Sequence, residues 1–338
     1  MKLLYLSCHS IIEYDEVKLF KELGIDVFAH GAYLDPKRPE DDKRPSLTGE
    51  TDLELIDMAR RNPKEKMTKE FLDKFDVIFF HWMPAWLEAN FELIKNKLVI
   101  FRTNGQSSPD DEILLGRYKA RGVKIVRYSP IEKNIPYYCG ADDVIRFGKD
   151  PEEYKGWTGE KERVITVCQN MKARAAFCNY EVFEKATEGF DRKLFGPDNE
   201  ASGELSGGCL SYDDLKKELR ENRVYFYTGT KPASYTLNFI EAWMTGIPIV
   251  SIGSALGDPH FLPGQKTFEI PFLGKSGQDF FVSDDVAHLR GFIKNLMMRP
   301  ELRQEISECG RLRAIELFGI DKIREEWRKF FVEQGVLS

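Results

Sequence analysis

The sequence predicts an α/β protein built as two Rossmann-like domains facing a cleft. Three observations carry that expectation. Short, continuous apolar runs alternate with amphipathic segments from the first residues onward; the alternation dissolves around residues 145–162 ("IRFGKDPEEYKGWTGEKE"); and a second alternating series follows. Strands that are apolar throughout belong to parallel sheets covered by helices on both faces. A chain of 338 residues, 42% of them hydrophobic, is long for one core and has apolar material for two.

The first strand is "KLLYLS", and a helix through "DEVKLFKELG" follows, with Val17, Leu19, Phe20 and Leu23 at helical spacing and Gly24 ending it. "IDVFAHG" reads as the next strand. Residues 34–51 are polar and proline-rich, and a long loop is expected there. Strands resume at "DVIFFHW", "KLVIFRTNG" and "VKIVRYS", completing a domain over residues 1–150. A linker is expected at 151–162. The second domain, 163–319, runs from strand "RVITVCQ" through a helix near "NYEVFEKATEG", strand "RKLFG", helix "SYDDLKKELREN" and strand "VYFYTG". The stretch "KPASYTLNFIEAWMTGIPIVSIG" then supplies a loop, a helix and a strand, before "FFVS" and the helix "DDVAHLRGFIKNLMMR". Residues 320–338 are expected to form a C-terminal helix that packs back on the first domain.

Composition narrows the function classes. A net charge of −6 argues against general nucleic-acid binding, which needs clustered Lys and Arg on the phosphates. The six cysteines form no C-x-x-C pair and no zinc spacing with histidine. Free thiols of this kind fit a reducing compartment. The opening "MKLLYLSCHS" lacks a signal peptide's apolar segment, and no window is apolar enough to span a bilayer. A cytoplasmic protein is expected, with peripheral membrane contact left open. The sequence lacks H-E-x-x-H, G-x-x-x-x-G-K-[ST], a G-x-G-x-x-G after the first strand, and a D-x-D between apolar strands. No metal and no cofactor are expected.

In open α/β sheets ligands settle at the carboxyl ends of the strands. The segments to weigh are therefore "CHS", "HWMPAW", "RTNGQSS", "CQNMKAR", "FGPDNE" and "TGTKPASYT". Lys172 and Arg174 place two cations after "RVITVCQ", suited to a leaving diphosphate whose charge grows in the transition state. Gly196 and Pro197 form a tight turn that would let a base approach the backbone. In "TGTKPASYT", Pro232 restricts the chain and Ser234 or Thr236 can cap the helix that follows. The N–H groups of that first turn suit an anion, and Glu241 further along can accept ribose hydroxyls. The plainer alternative is a cap and a solvent-facing acid.

The order of elements in "TLNFIEAWMTGIPIVSIG", with Glu241-Ala242 and Gly246-Ile247-Pro248, resembles the nucleotide-binding domain of GT-B glycosyltransferases, particularly the retaining family 4 type. The likeness covers most of residues 163–330; the first half matches in layout only. The resemblance implies a GT-B architecture and a retaining, metal-independent transfer from a nucleotide-diphosphate sugar. It puts Glu241 on the ribose, Lys172 and Arg174 on the diphosphate, and the amides of Ser234, Tyr235, Thr236 and Leu237 on phosphate or sugar. Two positions depart from the pattern. Ala233 stands where a second acid is usual, and Asn104, in "FRTNGQ", stands where a histidine is usual.

In the first half, His81 and Trp82 follow "VIFF", where they can line a sugar pocket or belong to the core. His9 and Ser10 sit after the first strand as candidate acceptor or phosphate contacts, with helix capping as the alternative. Arg102 is a further candidate. The catalytic candidates are thus His81, Asn104, Lys172 and Arg174. The expected partners are a nucleotide sugar and an unidentified acceptor: a glycan, a lipid-linked glycan, a protein or a small molecule. Two other readings stand beside the transferase: a nucleotide-sugar epimerase of the same architecture, and a catalytically inactive nucleotide-sugar binder.

Overall fold

The apolar runs of the first half become six parallel strands: β1 (Lys2–Ser7), β2 (Asp26–His30), β3 (Val77–His81), β4 (Leu98–Arg102), β5 (Lys124–Arg127) and β6 (Asp143–Val144). Their order is β2-β1-β3-β4-β5-β6 in this computed structural model, which describes residues 1–31 and 52–338. The loop expected over residues 34–51 lies outside the described residues. Helices α1 (Ser10–Glu22), α2 (Leu53–Arg61), α3 (Lys69–Leu72), α4 (Pro84–Ile94) and α5 (Pro109–Lys119) complete this part of the chain. Successive strand residues face opposite sides of a sheet. One side, with Leu4, Leu6, Phe80 and Phe101, shares a core with Phe71, Trp86, Leu87 and Phe91. On the other side Tyr5 and Phe79 stack at 4.8 Å, with Phe20 of α1 against both.

The second half repeats the plan. Strands β7 (Lys161–Val167), β8 (Arg192–Phe195), β9 (Ser206–Gly208), β10 (Asn222–Tyr227), β11 (Ile249–Ile252) and β12 (Phe281–Ser283) pair in parallel in the order β12-β11-β10-β7-β8-β9. Its helices are α6 (Ala175–Cys178), α7 (Tyr180–Thr187), α8 (Tyr212–Glu221), α9 (Leu237–Thr245), α10 (Ser254–Gly257), α11 (Ile270–Leu273), α12 (Val286–Met298) and α13 (Pro300–Phe318). α9 is buried continuously from Phe239 to Thr245, and Gly246 ends it with φ 92°, a left-handed cap that a side chain would strain.

The chain divides into two units, Met1–Phe147 with Ile323–Ser338, and Gly148–Lys322. Residues 151–162, expected as a linker, are folded onto the second unit. The Trp157 indole donates to the Asn222 carbonyl at 2.8 Å, and Thr158 N to Arg220 O at 2.9 Å. The last helix, α14 (Ile320–Glu333), brings the chain back to the first unit. There Trp327 lies 5.0 Å from Phe20 and 5.8 Å from Phe79, and Phe331 lies 4.9 Å from Phe20. Among the described residues no helix is long and apolar enough to cross a membrane. In each sheet the chain order reverses once, between β1 and β3 and between β7 and β10. Those are the switch points where open sheets leave a crevice.

Candidate functional site

The second unit gathers most of the expected site residues at its switch point. The loop after β7 and the loop after β8 are locked together by Asn199. Its amide oxygen accepts from Met171 N at 2.9 Å, and its amide nitrogen donates to the carbonyls of Cys168 (2.7 Å) and Gly196 (3.0 Å). Gly196 has φ 127°, and a Cβ there would lie 2.5 Å from the Cys168 carbonyl oxygen. The glycine thus serves a close approach of two backbone segments. The Pro197 carbonyl accepts from Asn170 N at 2.9 Å, which tightens the same junction. On this frame Lys172 is exposed, its ammonium donating to Ala201 O at 3.1 Å, and Arg174 donates to Gln169 O at 3.3 Å. Each cation is thus steadied by a backbone carbonyl.

The start of α9 lies over the ends of β7 and β10. Thr236 occupies the cap position, yet its side chain makes no cap hydrogen bond. The Thr236 hydroxyl bonds instead with the Tyr227 hydroxyl at 3.1 Å and with the Asn238 amide oxygen, while the Asn238 amide nitrogen donates to Val167 O. Polar side chains here tie the helix to the strand ends, and Thr236, at the cap position, makes no cap hydrogen bond. Ser234 and Tyr235 are buried: the Ser234 carbonyl accepts from Glu269 N at 3.0 Å, and the Tyr235 ring packs edge-on against Phe318 at 5.2 Å. Leu237 is partly exposed.

Glu241 does not face solvent. It is 2% exposed, and its Oε1 accepts from Lys149 Nζ at 2.7 Å and from the Tyr154 hydroxyl at 3.1 Å. Lys149 is itself held through its backbone, with N donating to Phe318 O (2.9 Å) and O accepting from Ile320 N (3.0 Å). Nothing in the sequence marks Lys149 and Tyr154, which lie in a charged stretch that reads as solvated linker. Lys231 also escaped notice. It is 6% exposed, and its ammonium donates to the Asn179 amide oxygen at 3.2 Å. Asn179 has φ 54°, and its amide nitrogen donates to Thr228 O at 2.8 Å.

The first unit treats its candidates differently. Ser7, His81 and Arg102 stand in register across β1, β3 and β4. Arg102 is buried, donating from Nε to Glu16 Oε1 at 3.0 Å and from Nη1 to Arg127 O at 2.8 Å, with Trp327 and Phe147 over its guanidinium. Trp82 is buried 5.9 Å from Phe101. Arg102 and Trp82, expected as ligand contacts, are therefore core side chains, because the sheet is covered on both faces. His81 is also buried; its Nδ1 lies 3.4 Å from Ser7 Oγ, and its Nε2 has no hydrogen-bond partner among the described residues. Burial first, then the charges of His9 and Arg102, hold its pKa well below the ordinary histidine value. His9 is exposed and caps α1, its Nδ1 accepting from Ile12 N at 3.4 Å, and Ser10 begins that helix. Asn104 is partly exposed, two residues after β4, and its buried amide oxygen has no partner among the described residues. Among the described residues no group of three or more His, Cys, Asp or Glu is placed to hold a metal ion.

No protein-family model matches the sequence, and no curated protein matches it. Solved structures do match. The sucrose-phosphate synthase of Thermosynechococcus elongatus is similar with a TM-score of 0.71 at 12% identity, over 100% of both chains. A glycosyltransferase of Rickettsia africae is similar with a TM-score of 0.69 at 14% identity, over 98% of each chain. Anabaena HepE, solved with UDP and glucose, is similar with a TM-score of 0.66 at 12% identity, over 98% of this chain and 99% of that one. Likeness over nearly the whole of each chain shows the fold: this protein folds in the GT-B architecture that glycosyltransferases use.

Proposed function

We propose that the protein is a glycosyltransferase whose second unit holds a nucleotide-diphosphate sugar. The observation that carries this reading is the edge at the β7/β10 switch point, where Asn238 ties the start of α9 to the end of β7, the strand that leads into the loop bearing Lys172 and Arg174. Backbone N–H groups at a helix start favour an anion, and two cations add charge-assisted donors. Such donors act most strongly on the charge that develops as the sugar leaves the diphosphate. Glu241 is read as the ribose ligand. Its carboxylate is fixed in place by Lys149 and Tyr154, which would orient it for that role. HepE, which shares the fold, was solved with UDP-glucose. The transfer is read as retaining and metal-independent, the leaving phosphate taking the acceptor's proton, with His9 and Asn104 as acceptor contacts.

Calorimetry with UDP-, GDP-, ADP- and dTDP-glucose and a CMP-sugar tests the donor claim. One series should bind, and Lys172→Ala combined with Arg174→Ala should weaken it at least tenfold, since a hydrogen bond to a charged group contributes about 1.5–3 kcal/mol. No binding, or an unaffected double variant, overturns the reading. Nucleotide release that depends on added acceptor separates transfer from binding alone, and donor isomerisation without acceptor would indicate epimerase chemistry.

A further inference from the structure

The segment that bears Lys172 and Arg174 begins and ends on a cysteine. Cys168 follows β7, Cys178 is the last residue of α6, and both thiols are free. The second sheet brings these two ends together. Asn179, next to Cys178, donates from its amide nitrogen to Thr228 O at 2.8 Å. Tyr225 of β10 stands beside Ile165 of β7, and the same parallel register carried onward sets Thr228 beside Cys168. There the two thiols hydrogen-bond each other, and the Thr230 side chain bonds to the same pair. Cys168 Sγ also lies 3.7 Å from Gln169 O.

The surroundings activate one of the two sulfurs. The nucleophile in thiol oxidation is the thiolate, which neighbouring cations favour. The hydrogen bond from Cys168, aided by Arg174, Thr230 and Lys231 and opposed by burial, holds the Cys178 thiol below its ordinary pKa. The same bond, with burial, holds Cys168 protonated. Lys231 is 6% exposed and bonded to the neutral Asn179 amide oxygen at 3.2 Å, and it feels the charges of Asp258 and Cys178. Cys8 and Cys139 differ, since burial pushes each of them up to about 11. Cys178 is buried and Cys168 keeps 8% exposure, so the pair lies directly beneath the surface, where an oxidant as small as peroxide gains entry.

We propose that Cys168 and Cys178 are a peroxide-sensitive redox pair whose disulfide reshapes the loop bearing Lys172 and Arg174. The Cys178 thiolate attacks one peroxide oxygen, the O–O bond breaks, and the departing hydroxide takes up a proton as water, leaving a sulfenic acid on Cys178. The Cys168 sulfur then attacks the Cys178 sulfur, and its S–H proton leaves with the sulfenic hydroxyl as a second water. Two thiols and one peroxide thus give one disulfide and two waters, and a dithiol reverses the step by exchange. The covalent bond draws the loop's ends closer than their hydrogen bond does and removes the thiolate charge beside Arg174 and Lys231. A loss of donor binding on oxidation rests on the reading of this loop as the diphosphate site; the disulfide itself does not.

The full chain with its exposed cysteines replaced, Cys8→Ser and Cys209→Ser, is treated folded with hydrogen peroxide and then with dithiothreitol. Peptide mapping should find Cys168 joined to Cys178, hydrogen exchange over residues 169–177 should slow, and dithiothreitol should reverse both. Adding Cys168→Ser should leave a sulfenic acid on Cys178 that dimedone traps, whereas Cys178→Ser should give neither adduct nor disulfide. The proposal is overturned if both thiols stay reduced, if they join only in denaturant, or if the disulfide forms without altering exchange in the loop. Where UDP-glucose or another nucleotide sugar binds the reduced protein, oxidation should weaken it at least tenfold and dithiothreitol restore it. If none binds the reduced protein, the donor reading fails, and mapping and exchange alone decide the redox pair. Should the serine variants at 168 or 178 not fold, mapping of the chain that keeps both cysteines still decides it.

Discussion

At Glu241 the carboxylate is committed before any ligand arrives, with Lys149 at 2.7 Å and the Tyr154 hydroxyl at 3.1 Å on the same oxygen. Both ions are nearly inaccessible, so neither can turn to water if the other is lost. Breaking a buried pair from one side leaves an uncompensated charge and costs about 3–5 kcal/mol, whereas removing both charges together is far milder. Lys149→Met should therefore destabilise the second unit by about that amount in urea unfolding, and Lys149→Met with Glu241→Gln should recover most of the loss. A single substitution that costs under about 1 kcal/mol would mean the pair is not buried in solution. The sequence offers Glu241 as a ribose acceptor or a solvent-facing acid, and neither reading includes this buried contact. Nothing at residue 149 announces that a lysine some ninety positions upstream will reach it.

Among the elements, α14 carries the most consequence for its length. It follows α13 after one extended residue, Gly319 (φ −61°, ψ 132°), and its residues from Ile323 onward belong to the first unit. Trp327 is wedged against Phe20 and Phe79 and lies over the buried Arg102 guanidinium at 5.2 Å. Trp327→Ala should cost about 3–5 kcal/mol, as for other large-to-small changes in a core. Deleting residues 323–338 should speed hydrogen exchange in β1 and β3 while β7 and β10 keep their protection. Equal loss in both sheets would refute the assignment. The longer strands were legible because buried parallel strands are apolar along their length and that pattern is local, whereas the edge strands β6 and β9, Asp143–Val144 and Ser206–Gly208, carry no such pattern and were not expected. Faces were not legible. Trp82 and Arg102 follow strand runs as a ligand contact would, but their burial comes from β3–β4 register and from helices that are distant in sequence. Lys172 and Arg174 could be placed on a strand-end loop because a charge just past an apolar run is visible, whereas the partner of Lys231, Asn179, lies 52 positions away.

For the whole molecule, each unit has its own six-stranded sheet, and units with separate cores can unfold in separate transitions. pH should act strongly on the first unit, which contains two buried groups with opposite displacements. The His30 Nε2–H donates to the Asn62 carbonyl at 2.7 Å, and burial lowers its pKa from 6.5 to about 4. It adds stability that is present above about pH 6.5 and lost as pH falls towards 4. Glu132 accepts from the Thr103 hydroxyl at 2.8 Å and from Tyr128 N at 3.1 Å, and burial, opposed by Arg127, raises its pKa from 4.5 to about 7. Its carboxyl binds a proton in the folded state that it has lost in the unfolded one, so its contribution is present below pH 4.5 and lost as pH rises through 7. Between these limits the two slopes oppose each other. Glu132→Gln keeps an acceptor for Thr103 and Tyr128 and cannot ionise, so it should match the wild type near pH 4.5 and exceed it by up to about 3 kcal/mol near pH 8. Unfolding of the first unit, followed by hydrogen exchange in β1 and β3 across that range, measures the difference. A gap between wild type and variant that does not widen with pH would show that Glu132 is ionised in the folded protein throughout.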